Sequence, residues 1–296
     1  MEDIETLVGR GREAIDFIVD ADSFEENTVG ALTFDDPEFG PGAVCGTATL
    51  NGATVTVIAN DAMAMNEKFP VVYGGIIGME EGYKMAKSVY ASITADADKD
   101  LADKRAIVLV VDTPGNGPGK VEEIFGMNKS TGAYQLALAE ARLKGHPIVA
   151  MVIGRAISGA FLCHGLQADH ILSLDANFGT MIHVMPLTSI SRIIRKDLET
   201  LQALSTGNPV FAAGPRFFYE LGGVQELVTE ISGMRDCITK HIAEIRTAKA
   251  EGREDDLGPW GRGKLGKERG GRVVRDEVMA LMNEQFAAVA DQYTAS

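Results

Sequence analysis

Apolar positions along this chain fall into two kinds of pattern. IVLVV at 107–111 and PIVAMVI at 147–153 are unbroken apolar runs, as expected of strands covered on both faces. HILSL at 170–174 predicts a third such strand and MIHVM at 181–185 a fourth. AVCGTATLNGATVTVIAND at 43–61 sets two β-rich runs about Asn51-Gly52, a strong hairpin signal. Elsewhere the spacing is helical. GMEEGYKMAKSVYASI predicts a helix with Met79, Tyr83, Ala86, Val89 and Tyr90 on one face. GAYQLALAEARLKG predicts one ending at Gly145, SGAFLCHGLQA one opening at Ser158, and SISRIIRKDLETLQAL a single amphipathic one with opposite charges at helical spacing.

The two ends read differently. Residues 1–40 are acidic and irregular, with one predicted helix near 4–19. From 231 the pattern is helical again through HIAEIRTAKA. GREDDLGPWGRGKLGKERGGR then interrupts it, rich in glycine and charge and poor in core residues, and reads as a surface loop near 251–273. A last helix at 274–293 carries Val278, Leu281, Met282 and Phe286, a face for the domain or for a partner. The expected organisation is a main domain over 1–240 and a helical C-terminal extension over 241–296.

Strands alternating with helices predict an α/β domain whose strands are largely parallel. Two segments repeat one logic: strand, DTPG loop, helix; then strand, GRAISG loop, helix. Adjacent parallel strands would bring the two loops together.

Composition narrows the function classes. With 45% hydrophobic and 24% charged residues, the chain can bury a sizeable core. A formal net charge of −14 argues against a broad nucleic-acid footprint. The start, MEDIETLVGRG, lacks the regions of a secretory signal, and no apolar run approaches the roughly 20 residues that span a membrane. Cys45, Cys163 and Cys237 are odd in number and widely spaced, which fits reduced thiols in the cytoplasm. No cysteine pair and no HxxxH or HxH cluster predicts a metal site.

The candidate chemistry lies in the two loops. The first amides of a helix have no acceptor inside it and carry partial positive charge. In SGAF these are the amides of Gly159 and Ala160, following Ser158; in DTPGNGPG, Gly115, Asn116 and Gly117 can add others. Arg155, beside the first group, is a candidate anion ligand, and Asp112 a candidate loop cap. Amides aimed at a developing oxyanion contribute about 3–4 kcal/mol to a transition state.

VVDTPGNGPG, followed by a helix and then by GHPIVAMVIGRAISGAFLCHGLQADHILSL, resembles the carboxyltransferase branch of the crotonase superfamily. HVMPLTSISRIIRK and NPVFAAGPRFFYELGGVQELV resemble, within it, the malonate decarboxylase gamma subunits. The resemblance is clear over about 107–228, with Ala160 where the family usually has a second glycine. It implies a crotonase-like stacked β-β-α superhelix with a helical C-terminal extension. It implies a subunit that acts with a beta subunit to decarboxylate a malonyl thioester carried on the coenzyme-A-like arm of an acyl-carrier subunit. The implied product is the acetyl thioester, with no cofactor bound directly. In biotin-dependent relatives the carboxyl group passes to biotin, an alternative left open. Ser158, Gly159, Ala160, Gly115 and Asn116 are then the catalytic candidates, and Arg155, Gly117 and His183 the substrate-binding ones. His183 and Tyr134 are candidates for protonating the enolate.

Three rivals stand beside it. A Clp-type serine peptidase shares the superfold and would use Ser158 with His183, but needs an orienting acid, for which NPVFAAGPRFFYELGG supplies only Glu220, with Asp236 falling later than expected. An enoyl-CoA hydratase needs two positioned carboxylates, which neither loop supplies. A non-catalytic scaffold would only complete a partner's site. The basic stretch 261–272, with Arg269 and Arg272, is a candidate contact for carrier-arm phosphates or an acidic carrier surface.

Overall fold

The computed structural model describes residues 5–185, 187–205 and 213–294. In chain order its elements are α1 (Gly11–Ile18), β1 (Glu25–Glu26), β2 (Thr28–Val29), β3 (Leu32–Thr33), β4 (Ala43–Leu50), β5 (Ala53–Asn60), α2 (Met79–Ala95), β6 (Ala106–Thr113), α3 (Lys120–Phe125), α4 (Met127–Leu143), β7 (Ile148–Ile157), α5 (Ser158–Cys163) and β8 (His170–Leu174). There follow β9 (Met181–His183), α6 (Leu187–Ile194), α7 (Leu198–Ser205), α8 (Pro215–Glu220), β10 (Glu226–Val228), α9 (Met234–Ala250), α10 (Gly258–Glu268), α11 (Arg275–Ala287) and α12 (Asp291–Thr294).

The main sheet runs β1-β4-β5-β6-β7-β8-β10, with β9 attached to β7. Its heart, β5 through β10, is parallel, and β4 and β5 form the expected antiparallel hairpin. Leu50 pairs with Ala53, leaving Asn51 (φ 51°) and Gly52 (φ 79°) as the two turn residues, both left-handed as a type I′ turn requires. Every residue of β6 is buried. Val108 and Val110 point to one core with α1 and α9; Ile107, Leu109 and Val111 point to the other with α2, α4 and α5. Helices on both faces explain why this strand shows no polar alternation.

Several sequence expectations are modified. In α2, Met85, Ala86 and Val89 are the buried apolar positions, while Tyr83 and Tyr90 are exposed at 49% and 36%. The single helix expected over 189–204 is two, α6 and α7. The helix from Ser158 ends at Cys163, and the one near 4–19 begins only at Gly11. The division expected at residue 240 falls inside α9, whose Met234, Ile238, Ile245 and Ala248 belong to the main core.

The largest correction concerns the segment near 251–273. It holds the helix α10, with Gly261, Arg262, Gly263 and Gly266 buried. Glycine disfavours helix, which is why the stretch reads as a loop. Here it permits close approach: a Cβ on Gly266 would collide with the Leu221 carbonyl oxygen just past α8. The arginines then satisfy carbonyls. Arg262 donates to Ala168 and Leu166; Arg269 donates to Tyr219, Val224 and Gln225 and stacks on the Tyr219 ring at 3.6 Å; Arg272 donates to Leu221. The donors considered for phosphate binding are therefore used within the fold. By contrast α11 buries no side chain, and its Val278, Leu281, Met282 and Phe286 stay exposed. No helix among the described residues is long and apolar enough to cross a membrane.

Candidate functional site

The two loops meet. β6 and β7 pair in register from Ile107–Ile148 to Val111–Val152, and then the register shifts so that Thr113 faces Ala156. β7 therefore carries two extra residues, and the bulge wraps the Asp112 carboxylate. Asp112 Oδ1 accepts from the Arg155 amide at 2.8 Å and from Arg155 Nε at 2.8 Å; Oδ2 accepts from Arg155 Nη2 at 3.1 Å and from the Gly9 amide at 2.6 Å. Arg155 Nη2 also donates to the Gly74 carbonyl at 2.9 Å. Gly154 is required at the bulge, because a Cβ there would lie 2.6 Å from Asp112 Oδ1. One buried carboxylate thus fastens three segments of chain, and Arg155 ties in a fourth at Gly74. Arg155, read as a candidate anion ligand, spends its guanidinium on that pair.

Beyond the bulge, β7 turns into α5 through Ser158, held at φ +56°. A left-handed serine costs about 1–2 kcal/mol relative to the ordinary helical region. The turn places Gly159 against the DTPG loop: a Cβ on Gly159 would lie 2.5 Å from Asn116 Oδ1. The amides of Gly159 and Ala160 precede the first intrahelical bond of α5 and point donors out of its N-terminus. The other loop is more self-contained. The Gly117 amide donates to the Ile77 carbonyl at 3.0 Å, the Ile77 amide to the Gly115 carbonyl at 3.1 Å, and the Gly115 amide to Thr113 Oγ1 at 3.3 Å. Of its candidates, the Asn116 side chain makes no hydrogen bond among the described residues.

β7 changes partner at this point, from β8 over Val149–Val152 to β9 over Arg155–Ile157. Ile157 faces His183. The His183 ring is half-buried, and burial holds its pKa below the ordinary histidine range, so the imidazole is neutral near pH 7. Its Nδ1 is buried and has no partner among the described residues. Ser158 is exposed and its hydroxyl makes no hydrogen bond among them. Among the described residues, a relay of serine, histidine and orienting acid is thus not assembled. Glu220, the acid considered for it, pairs with Arg216 on α8; residues 208–212 of the NPVFAAG stretch lie outside the described residues.

Tyr134, the other protonation candidate, is fully buried. Its hydroxyl lies 2.9 Å from His164 Nδ1, and His164 Nε2 lies 3.1 Å from the Val110 carbonyl. Since that carbonyl only accepts, Nε2 carries the hydrogen and Nδ1 accepts from the tyrosine. Burial drives the His164 pKa to about 4, which keeps this pair neutral and inside the core.

Two carboxylates escaped the sequence reading. Glu122 and Glu81 are buried at the N-terminus of α2, where Glu122 Oε1 accepts from the Met79 amide at 2.8 Å and Asn66 Nδ2 donates to Glu81 Oε1 at 3.2 Å. Glu122 backs directly onto Gly117. Burial raises both pKa values above the ordinary glutamate range. Their only sequence signal is a charged residue at a helix start, which is common on surfaces.

Known proteins carry the same frame. The malonate decarboxylase gamma subunit family matches residues 73–286. This chain belongs to that family. It is 68% identical over 289 residues to the malonyl-S-ACP:biotin-protein carboxyltransferase of Malonomonas rubra, covering 98% of this chain and 99% of that one. A chain of the Pseudomonas malonate decarboxylase hetero-tetramer in complex with coenzyme A superposes with a TM-score of 0.70 at 29% identity, covering 82% of this chain and 91% of that chain. A transcarboxylase 12S core shares the fold at 21% identity and a TM-score of 0.64, covering 83% of this chain and 43% of that chain. The crotonase-like carboxyltransferase architecture, and an enzymatic role within this family, are therefore established.

Proposed function

We propose that this gamma-family chain forms, with a beta-type partner subunit, the carboxyltransferase that moves the carboxyl group of malonyl thioester on an acyl-carrier protein to biotin on a second carrier. The observation that carries the reading is the approach of Gly159 to Asn116, which sets the open amides of Gly159 and Ala160 beside an uncommitted side-chain amide. The 68% identity to a malonyl-S-ACP:biotin-protein carboxyltransferase favours the biotin route. Direct release of carbon dioxide, the second reading, draws on the 29% identical Pseudomonas malonate decarboxylase.

Cleavage of the malonyl C–C bond sends its electron pair to the thioester oxygen, giving an enolate that takes a proton at carbon to become acetyl thioester. Negative oxygen also develops on a ureido group that exchanges a carboxyl. The amides of Gly159 and Ala160 are fixed before reaction and hold such an oxygen without a metal. Asn116 Nδ2 supplies a further donor, and Ser158 shapes the turn that aims them. Gly115 and Gly117 hold the DTPG loop in place, and Arg155 locks it to β7. His183, neutral beside the joint, orients the bound group. Leu162 on α5, Met181 at the start of β9 and Val184 just past its end are exposed beside the joint, and a beta-type subunit covers them.

Gly159→Pro tests the reading against Gly159→Ala. Both add the Cβ that crowds Asn116; only proline removes the N–H. In the co-purified complex, Gly159→Pro is expected to lower malonyl-thioester turnover about 100-fold or more relative to Gly159→Ala, with the complex intact. Equal activities would refute the amide role, and turnover indifferent to avidin would select direct release over biotin.

A further inference from the structure

At the end of the sheet opposite the loop pair, three side chains distant in sequence converge. His170 opens β8 and pairs with Val149 near the start of β7, about 25 Å along that strand from Ile157. α9 presents His241 and Glu244 one turn apart, packed against this strand end. His170 Nδ1 lies 2.8 Å from His241 Nδ1 and 3.9 Å from Glu244 Oε2, and His241 Nδ1 lies 3.1 Å from the same oxygen. The rings stand nearly perpendicular, at 81°. Their side chains are 11% and 6% exposed.

Hydrogen counting makes the cluster unusual. The other nitrogen of His241, Nε2, lies 3.0 Å from Glu226 Oε2, an acceptor only, so it carries a hydrogen. A neutral His241 then turns a bare lone pair at Nδ1 toward both Glu244 Oε2 and His170 Nδ1. One hydrogen on His170 satisfies a single contact and leaves the carboxylate facing a lone pair. A second hydrogen on His241, donated to Glu244, would pair that carboxylate; a cation at the centre instead engages all three atoms as ligands.

We propose that His170 Nδ1, His241 Nδ1 and Glu244 Oε2 bind a borderline divalent cation, zinc by donor chemistry, which ties α9 to β8. The described residues contain this one cluster of metal-ligand type. Two imidazoles and one carboxylate are a recurrent zinc set, and Glu226 is the carboxylate that orients a ligating histidine. Bonds of about 2.0–2.1 Å in tetrahedral array require the two Nδ1 atoms to separate to about 3.3 Å, a movement of a few tenths of an ångström. Glu244 is half-exposed and free to follow. All three residues line one surface cavity, together with Gln225, Asp256 and Lys264. The site lies far from the loop pair and is structural; it stands whether or not the proposed carboxyl transfer does.

The untagged full chain, stripped with chelator and titrated with zinc sulfate, is expected to bind one zinc ion with a dissociation constant below about 1 μM. The thermal midpoint should rise with zinc. Glu244→Gln, at a half-exposed position that leaves folding intact, should abolish both effects, and Glu226→Gln should weaken binding about 10–100-fold. Cys237, whose Sγ lies 3.5 Å from Glu226 Oε1, is the competing thiol. Cys237→Ser should bind zinc as tightly as the parent. No binding by the parent, retention in Glu244→Gln, or loss in Cys237→Ser would each overturn the assignment.

Discussion

The loop pair and the 258–272 segment are both rich in glycine and carry arginine, yet they end in opposite states. In the loop pair, glycine brings two strands' ends together while one helix N-terminus keeps its donors open. In the α10 segment, glycine brings helix backbones together, and the arginines Arg262, Arg269 and Arg272 saturate the carbonyls that the approach exposes. Glycine in each case permits contact; the second group decides what remains. A buried aspartate consumes Arg155 and leaves amides free, whereas backbone carbonyls consume the arginines and leave nothing for a ligand.

The contrast can be broken most severely at Asp112. Asp112→Ala strands Arg155, which is 20% exposed, and releases the Gly9 amide. Loss of about 3–5 kcal/mol is expected, read as a fall in the urea midpoint, together with loss of turnover. A smaller loss belongs to the other region. Gly266→Ala forces α10 away from the Leu221 carbonyl and should cost about 1–3 kcal/mol by thermal unfolding, with turnover per folded complex unchanged. If Gly266→Ala removed activity and Asp112→Ala did not, the division between the regions would be wrong.

The smallest effect is one of sign. Burial raises the Glu122 pKa above its ordinary 4.5, so the folded chain holds that proton more tightly than the unfolded one. The stability it contributes is present below pH 4.5 and is lost as pH rises through the raised folded value. Glu122→Gln should therefore raise the thermal midpoint at pH 8, with the gain closing as pH falls toward 4.5. A gain that grew on acidification would reverse the assignment.

Much of this was legible where one local rule decides the outcome. Unbroken apolar runs located β6 and β7, the largely apolar HILSL located β8, and Asn51-Gly52 located the hairpin to the residue. That the DTPG and GRAISG loops meet followed from parallel neighbours. What was not legible depends on distant partners. The role of Arg155 is set by a carboxylate 43 positions away, and the buried state of Glu122 by the amide of Met79, also 43 away. His170 and His241 are 71 apart, beyond any spacing rule for ligands. The helix α10 was hidden because propensity counts its glycines against it and cannot see the α8 turn that needs them small. Tyr83 and Tyr90 fit a helical stripe, but the inner face of α2 is lined instead by Met85, Ala86 and Val89.

The left-handed backbone at Ser158 also constrains which replacements drift can sample there. Asparagine and glycine suit that conformation, whereas threonine, nearest to serine in hydroxyl chemistry, is β-branched and strained in it. Selection acting on the joint's shape and selection acting on an alcohol would thus leave different residues at this codon.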